Sequence, residues 1–326
     1  MNKIYPLKFK PLFREKPWGG RKLKNVLGLD AGDMPNCGEA WVLSGVVENE
    51  TVVANGFLEG NELNELVEVY MDDLVGGKVY DKYKNEFPIL VKFIDATEYL
   101  SIQVHPDDAL AKKRGLGNGK SEMWYIIDAG KDAELISGFS KKVTQKTYLD
   151  HLKEGTLKEI LNVEKVSAGD IFDIPAGRVH ATGSRILFAE IQQTSDVTYR
   201  IFDWNRVGAN GKPRDLHTAE ALEAIDFDVH ESYRTAYGRV KNQSIKVVDA
   251  PYFTTNILHL DKAVSKDYEE LDSFVIFTCV QGSVRVKYPD GELKLNMGEC
   301  LLVPNVVTSI ELYPSIESKL LETFIL

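Results

Sequence analysis

The sequence predicts a mainly β protein made of two β-barrels in one chain, with short helical segments set between strands. Three observations predict it. Short apolar runs rich in Val, Ile, Phe and Tyr recur along the chain between turns of Gly, Pro and Asn, which is the pattern of short strands. Clear three- and four-residue apolar spacing, the mark of an amphipathic helix, is confined to a few stretches, chiefly 61–75 and 147–161, with a shorter one at 216–225. An internal repeat links the two halves. GDIFDIPAG runs from Gly169 through Pro175 to Gly177, and GECLLVPNV runs from Gly298 through Pro304 to Val306, each with a glycine followed six residues later by proline across an apolar run. The expected domains are 1–240, which carries the helical insertions, and 241–326, a second β unit.

In chain order, EAWVLSGV (39–46) and TVVANGF (51–57) read as strands, and KPWGGRKL (16–23) as a loop with one aromatic and three basic residues. Residues 61–75 read as a helix capped by Asn61, with Leu63, Leu66, Val67, Tyr70 and Leu74 on its apolar face. FPILVKFIDA (87–96) and YLSIQVHP (99–106) are strands. A short helix follows, begun at Pro106 and Asp107 and stopped by Gly115. Residues 123–130 and 133–139 read as a hairpin. Residues 147–161 are helical with an interruption at Gly155, turning Leu149, Leu152, Leu157, Ile160 and Leu161 inward. DIFDIP (170–175), RILFAEIQQ (185–193) and TYRIFDW (198–204) are strands. Beyond 240 seven strand-like pieces follow, with KAVSKDYEELD (262–272) as a polar loop.

Composition narrows the functional classes. With 49 acidic against 39 basic residues the net charge is -10, which argues against a nucleic-acid partner, because that needs a concentrated basic surface. A small anion is still admissible where a few cations converge in a cleft. No run approaches the eighteen apolar residues of a membrane helix, and MNKIYPLKFKPLF lacks the continuous apolar core of a secretory signal. Three cysteines, Cys37, Cys279 and Cys300, are odd in number and form no metal-binding cluster, so a reducing compartment, the cytoplasm, is expected.

The chemistry concentrates in YLSIQVHPDDALAKKRGLGNGKSEMW (99–124). Gln103 and His105 stand at i and i+2 and share one strand face. Glu122 precedes the strand MWYII, and His180 follows the tight PAG turn. Two imidazoles, a carboxylate and an amide oxygen suit Zn, Fe, Ni or Mn. A histidine pair alone reads as two ordinary hydrogen-bonded side chains. The ordered set Gln-x-His, Glu, then G-x5-P-x-G-x2-His turns the reading toward a metal. Lys92, Lys120, Arg200 and Arg206 are candidate partners for a charged substrate group or a developing oxyanion. Arg200 and Glu190 stand out because both lie among apolar neighbours, although Glu190 reads equally as an arginine's ion-pair partner. In the second repeat the positions matching His180 and Glu122 are Ser309 and Phe274, so that unit is expected to be structural.

SIQVHPDD (101–108), GKSEMWY (119–125), PAGRVHA (175–181) and AEIQQTSDVTYRIFDWNR (189–206) resemble the short bacterial form of the type I mannose-6-phosphate isomerases, within the cupin superfamily. The resemblance runs from PWGG to about Thr218 and more loosely over the second barrel. It implies two cupin (jelly-roll) barrels and one Zn2+ per chain held by Gln103, His105, Glu122 and His180. It also implies a catalytic Arg200, with Lys92, Ser101, Lys120, Glu190 and Asp196 as further pocket residues. The implied reaction interconverts mannose 6-phosphate and fructose 6-phosphate by C2-to-C1 proton transfer through an enediol-like intermediate, with Glu190 or a zinc-bound water carrying the proton. The implied partner is a small phosphorylated sugar, and the sequence leaves monomer and homodimer both open. An iron oxygenase using His105, Glu122 and His180, or a sugar-binding protein without turnover, stays open as an alternative.

Overall fold

The apolar runs form strands, and the strands assemble into antiparallel sheets of six, five, seven and four strands. The computed structural model describes residues 3–207 and 211–326, so Met1 and Asn2 of the opening segment lie outside the described residues. None of the four sheets closes on itself. The two cupin (jelly-roll) barrels expected from the sequence are therefore corrected to a mainly β arrangement of open sheets.

The reason lies in strand pairing. Glu122–Ala129 and Glu134–Phe139, expected to be a hairpin, do not pair with each other. The first lies between Ile171–Ile174 and Ile186–Gln193 in the six-stranded sheet, and the second between His180–Thr182 and Leu161–Lys165 in the five-stranded sheet. Strand and turn signals mark where a chain reverses, but which backbone edges meet is decided by the faces that become buried.

The repeat does govern topology. In the six-stranded sheet Ile171–Ile174, Glu122–Ala129, Ile186–Gln193 and Ile89–Ala96 are successive neighbours. In the seven-stranded sheet Cys300–Val303, Val275–Gln281, Ser318–Phe324 and Thr254–Leu260 follow the same order. The five- and four-stranded sheets share a four-strand order in the same way. Each half is thus an open two-sheet unit. The N-terminal strand Leu7–Lys10 crosses over and pairs with Cys300–Val303.

The layers are held by apolar faces. Ile89, Val91 and Phe93 join Leu7, Phe253, Ile276, Leu302 and Leu321 between the six- and seven-stranded sheets. On the other face of the same strand, Ile94 and Ala96 pack with Trp18, Trp124, Leu135, Phe172 and Phe188. Both strands Ile89–Ala96 and Ile186–Gln193 are buried along their whole length, so the polar residues they carry, Lys92, Asp95, Glu190, Gln192 and Gln193, are buried too. The helices Gln145–Glu154 and Thr218–Ala224 cover the outer face of the five-stranded sheet through Tyr148 and Ala221.

Several local expectations change. Residues 16–23 are not a loop: Leu12–Gly20 is a strand and Lys22–Asn25 a helical turn. Helix Leu63–Val75 is capped by Glu62 in a reciprocal capping box with Glu65, while the Asn61 amide donates to the Leu58 carbonyl at 2.8 Å. Helix Gln145–Glu154 ends at Gly155, whose φ of 72° is the left-handed cap conformation that favours glycine, and Leu149 is exposed. Val264–Asp267 is a strand inside the expected polar loop.

Candidate metal centre and active site

The site lies between the inner faces of the six- and five-stranded sheets. In the five-stranded sheet the ladder sets Arg200 opposite Gln103 and Gln103 opposite His180, and directly opposed residues project from one face. In the six-stranded sheet the register sets Lys92 opposite Glu190 and Glu190 opposite Trp124. Glu122, two residues before Trp124, shares its face. The turns are tied to the ligand-bearing strands. Gly177, at φ 86°, donates its N–H to the His105 carbonyl at 2.9 Å, and Lys120 donates its backbone N–H to the Pro106 carbonyl at 3.0 Å.

His105, Glu122 and His180 converge, with one ligand atom from each lying within 4.8 Å of the others. Glu122 Oε2 is 3.4 Å from His105 Nε2, and Oε1 is 3.3 Å from His180 Nε2. Each imidazole donates Nδ1–H to a backbone carbonyl, His105 to Val197 at 2.9 Å and His180 to Arg178 at 2.8 Å. Both Nε2 lone pairs therefore point into the cluster, where His105 Nε2 accepts from Lys120 Nζ at 3.2 Å and His180 Nε2 from the Gln103 amide at 3.1 Å, while the Nδ1–H bonds orient the rings. Burial, helped by the Lys120 ammonium, pushes His105 down to about 3 against the pull of Glu122. Burial likewise lowers His180. Both rings are neutral at neutral pH, the form that binds metal.

Glu122 is fully buried. Burial alone would raise its pKa, but the Lys120 ammonium and His105 outweigh that and hold it well below the carboxylate range. Lys120 Nζ stands 3.0 Å from Glu122 Oε2 as an ion pair, yet neither carboxylate oxygen accepts a directed hydrogen bond. Two buried, hydrogen-bond-free anionic oxygens facing two imidazole lone pairs fit a divalent metal ion.

Next to this cluster, Lys92 Nζ donates to Glu190 Oε1 at 3.0 Å and to Gln192 Oε1 at 2.6 Å, and lies 5.0 Å from the Trp41 ring centroid. Burial would lower Lys92, but Glu190, Glu39 and Asp196 outweigh it and raise it above the usual lysine range. Glu190 is itself raised, by burial first and by the charge of Glu122, against Lys92. The Trp124 indole N–H donates to Glu190 Oε2 at 3.0 Å.

The other sequence candidates sit as follows. Gln103 Nε2 is 3.1 Å from His180 Nε2. Ser101 is buried immediately before the strand Ile102–Val104 that carries Gln103. Arg200 is half-buried: one Nη1–H donates to the Asp215 carbonyl at 2.9 Å, while its Nε is buried without a partner. Burial, then the charges of Arg214 and Arg206, lower it against Asp203. Arg206 is engaged by Asp203 and by the Tyr99 carbonyl. Asp196 is exposed and reaches the cluster through its charge on Lys92. Sequence reasoning missed Trp124, Gln192 and Trp41. Trp124 had a signal, since it stands at i+2 from Glu122; the other two had none without the sheet register.

In the second unit the inward-facing pair on the corresponding strands is Lys266 opposite Ile310. Ser309 is exposed and Phe274 is core, and Lys266 pairs with the buried Glu322 at 2.8 Å. Among the described residues His105, Glu122 and His180 form the one group of this kind.

The family described as phosphomannose isomerase type I, catalytic domain, matches residues 7–136. Mannose-6-phosphate isomerase ManA of Bacillus subtilis is 34% identical over 304 residues, covering 92% of this chain and 93% of its own length. A mannose-6-phosphate isomerase of Streptococcus mutans is 30% identical over 305 residues, covering 93% and 94%. The crystal structure of the Bacillus subtilis mannose 6-phosphate isomerase matches with a TM-score of 0.88 at 30% identity, over 98% of this chain and 99% of that one.

Proposed function

This chain belongs to the type I phosphomannose isomerase family, and we propose that it is an isomerase interconverting D-mannose 6-phosphate and D-fructose 6-phosphate. The observation that carries the reading is the buried His105, Glu122 and His180 cluster set beside a carboxylate, Glu190, whose pKa is raised. The metal is one Zn2+ per chain, with Gln103 as the fourth ligand once its amide turns its oxygen inward. A zinc ion held by these residues would supply Lewis-acid polarisation of the sugar oxygens.

Glu190 takes the proton from C2 of the open-chain aldose and returns it to C1, while the O2 hydroxyl proton passes to O1. No redox cofactor is needed. A carboxylate whose pKa is raised by burial is a stronger base than an exposed one and still releases its proton. Arg200, one ladder position from Gln103, stabilises the negative charge that develops on O1 and O2 as the C2 proton leaves. Lys120 and Ser101 bind the phosphate or the hydroxyls, and Asp196 binds hydroxyls of the sugar. Lys92 contacts Glu190 directly, so its effect on substrate runs through that carboxylate.

We assign catalysis to residues 1–240 and a structural role to 241–326, supported by the Lys266–Ile310 pair at the inward positions of the second unit. Among the described residues no helix is long and apolar enough to cross a membrane. All three cysteines are buried and free, which supports a cytoplasmic setting.

A coupled isomerase assay with mannose 6-phosphate tests the function, repeated after chelation and after adding zinc back. Turnover should vanish on chelation and return with zinc. Absence of turnover in the zinc-loaded protein sinks the isomerase reading, and full turnover after chelation sinks the metal reading.

A further inference from the structure

We propose that Trp124 is a positioning residue of the isomerisation, its indole N–H locking the Glu190 carboxylate in the orientation that meets the substrate carbon. The inference rests on Glu190 as the proton carrier. Glu190 has one donor on each oxygen, Lys92 Nζ on Oε1 and Trp124 Nε1 on Oε2, both at 3.0 Å. A carboxylate pinned at both oxygens cannot rotate about its Cγ–Cδ bond, and the remaining lone pairs keep a fixed direction. Proton abstraction from carbon depends on that alignment.

The two donors differ in kind. Lys92 brings charge on a flexible stem, whereas the indole brings a neutral, directional N–H on a rigid ring. That ring is fixed three ways. It stands directly across the ladder from Glu190, it packs on Phe188 with centroids 5.0 Å apart, and it meets His180 edge-on at 5.4 Å and 83°. One fully buried side chain therefore registers the proton carrier against an imidazole of the metal cluster. The apolar plug of Ile94, Leu135, Phe172 and Phe188 needs only an aromatic ring at this position. The N–H is more than the packing requires.

The test compares Trp124→Phe, and Trp124 replaced by 3-benzothienylalanine, which keeps the bicyclic shape and lacks the donor. Each is assayed alone and combined with Glu190→Gln. With the donor gone, kcat should fall roughly ten- to hundredfold, the worth of one hydrogen bond to a charged group. KM and bound zinc should stay at parental values. In the Glu190→Gln background the same replacement should cause no further loss. A benzothienyl variant within about twofold of parental kcat overturns the proposal, as does an equal loss in both backgrounds, which marks a structural role. Near-parental turnover of Glu190→Gln alone overturns the proton-carrier reading itself, and the two failures are thereby told apart.

Discussion

Glu122→Gln separates the two demands made on this carboxylate. In the metal-free protein Glu122 balances the buried Lys120 ammonium at 3.0 Å, with both side chains 5% exposed or less. At an effective dielectric of about 20, that separation corresponds to roughly 5 kcal/mol of attraction. Removing one partner of a buried pair typically costs about 3–5 kcal/mol, because the other charge is left uncompensated. The amide keeps the shape and loses the charge, so metal-free Glu122→Gln should be less stable than the metal-free parent by about 3–5 kcal/mol in urea denaturation. The double variant Glu122→Gln/Lys120→Met, which removes the stranded cation, should recover most of that loss. The same substitution takes away the one anionic ligand of the cluster. Bound metal after exhaustive dialysis, measured by elemental analysis, should fall from one per chain to near zero, and turnover with it. A variant that keeps one metal per chain refutes the ligand assignment. A metal-free variant as stable as its parent refutes the electrostatic argument.

Arg200→Ala should lower kcat about 10²–10³-fold with bound zinc unchanged, since it removes an oxyanion-stabilising group and no ligand. Turnover within a few-fold of the parent, in the same coupled assay, places the arginine outside the chemistry. His105→Ala should lose zinc and activity together while circular dichroism stays that of a folded β protein, because the apolar layers do not include this side chain; full zinc occupancy contradicts the ligand role. Glu322→Gln in the second unit should leave turnover unchanged and show a pH-dependent stability loss. Burial alone would raise Glu322, but Lys266 outweighs it and the folded pKa is lowered. Its contribution is therefore full above the unfolded value of about 4.3 and is lost as pH falls through the lower folded value. The parent should be more stable than Glu322→Gln by about 3 kcal/mol at pH 7, with the gap closing below about pH 4. A pH-independent gap in urea denaturation rejects the linkage.

The His105, Glu122 and His180 cluster is legible in the sequence. Gln103 and His105 alternate on a strand, Glu122 opens the next strand, and His180 follows a proline-glycine turn; these are local patterns, and local geometry sets the direction of each side chain. Glu190 stands out in the sequence because its neighbours are apolar, with an arginine as the expected ion-pair partner; the partner is the lysine Lys92 instead. The partner was not legible. Lys92 lies 98 residues away and Trp124 66 residues away, and only the ladder that brings Ile89–Ala96, Ile186–Gln193 and Glu122–Ala129 side by side joins them. The repeat marks two units with a shared strand order, not the two barrels it suggests, and counting along it misplaces both ligand positions: Val275, not Phe274, pairs with Val303 as Glu122 pairs with Ile174. Ser309 aligns with His180 by counting, but Ile310 is the residue that faces inward, since a shift of one residue along a strand reverses the face.

The amino-acid sequence by itself determined the β character, the few helices, the repeat and the metal-binding residue types, because these depend on periodicity and short-range spacing. The tertiary structure alone decided that the sheets stay open, which strands share an edge, and which donors hold Glu190. Those outcomes follow from burying both faces of strands such as Ile89–Ala96 between neighbouring layers, a condition no single segment can express.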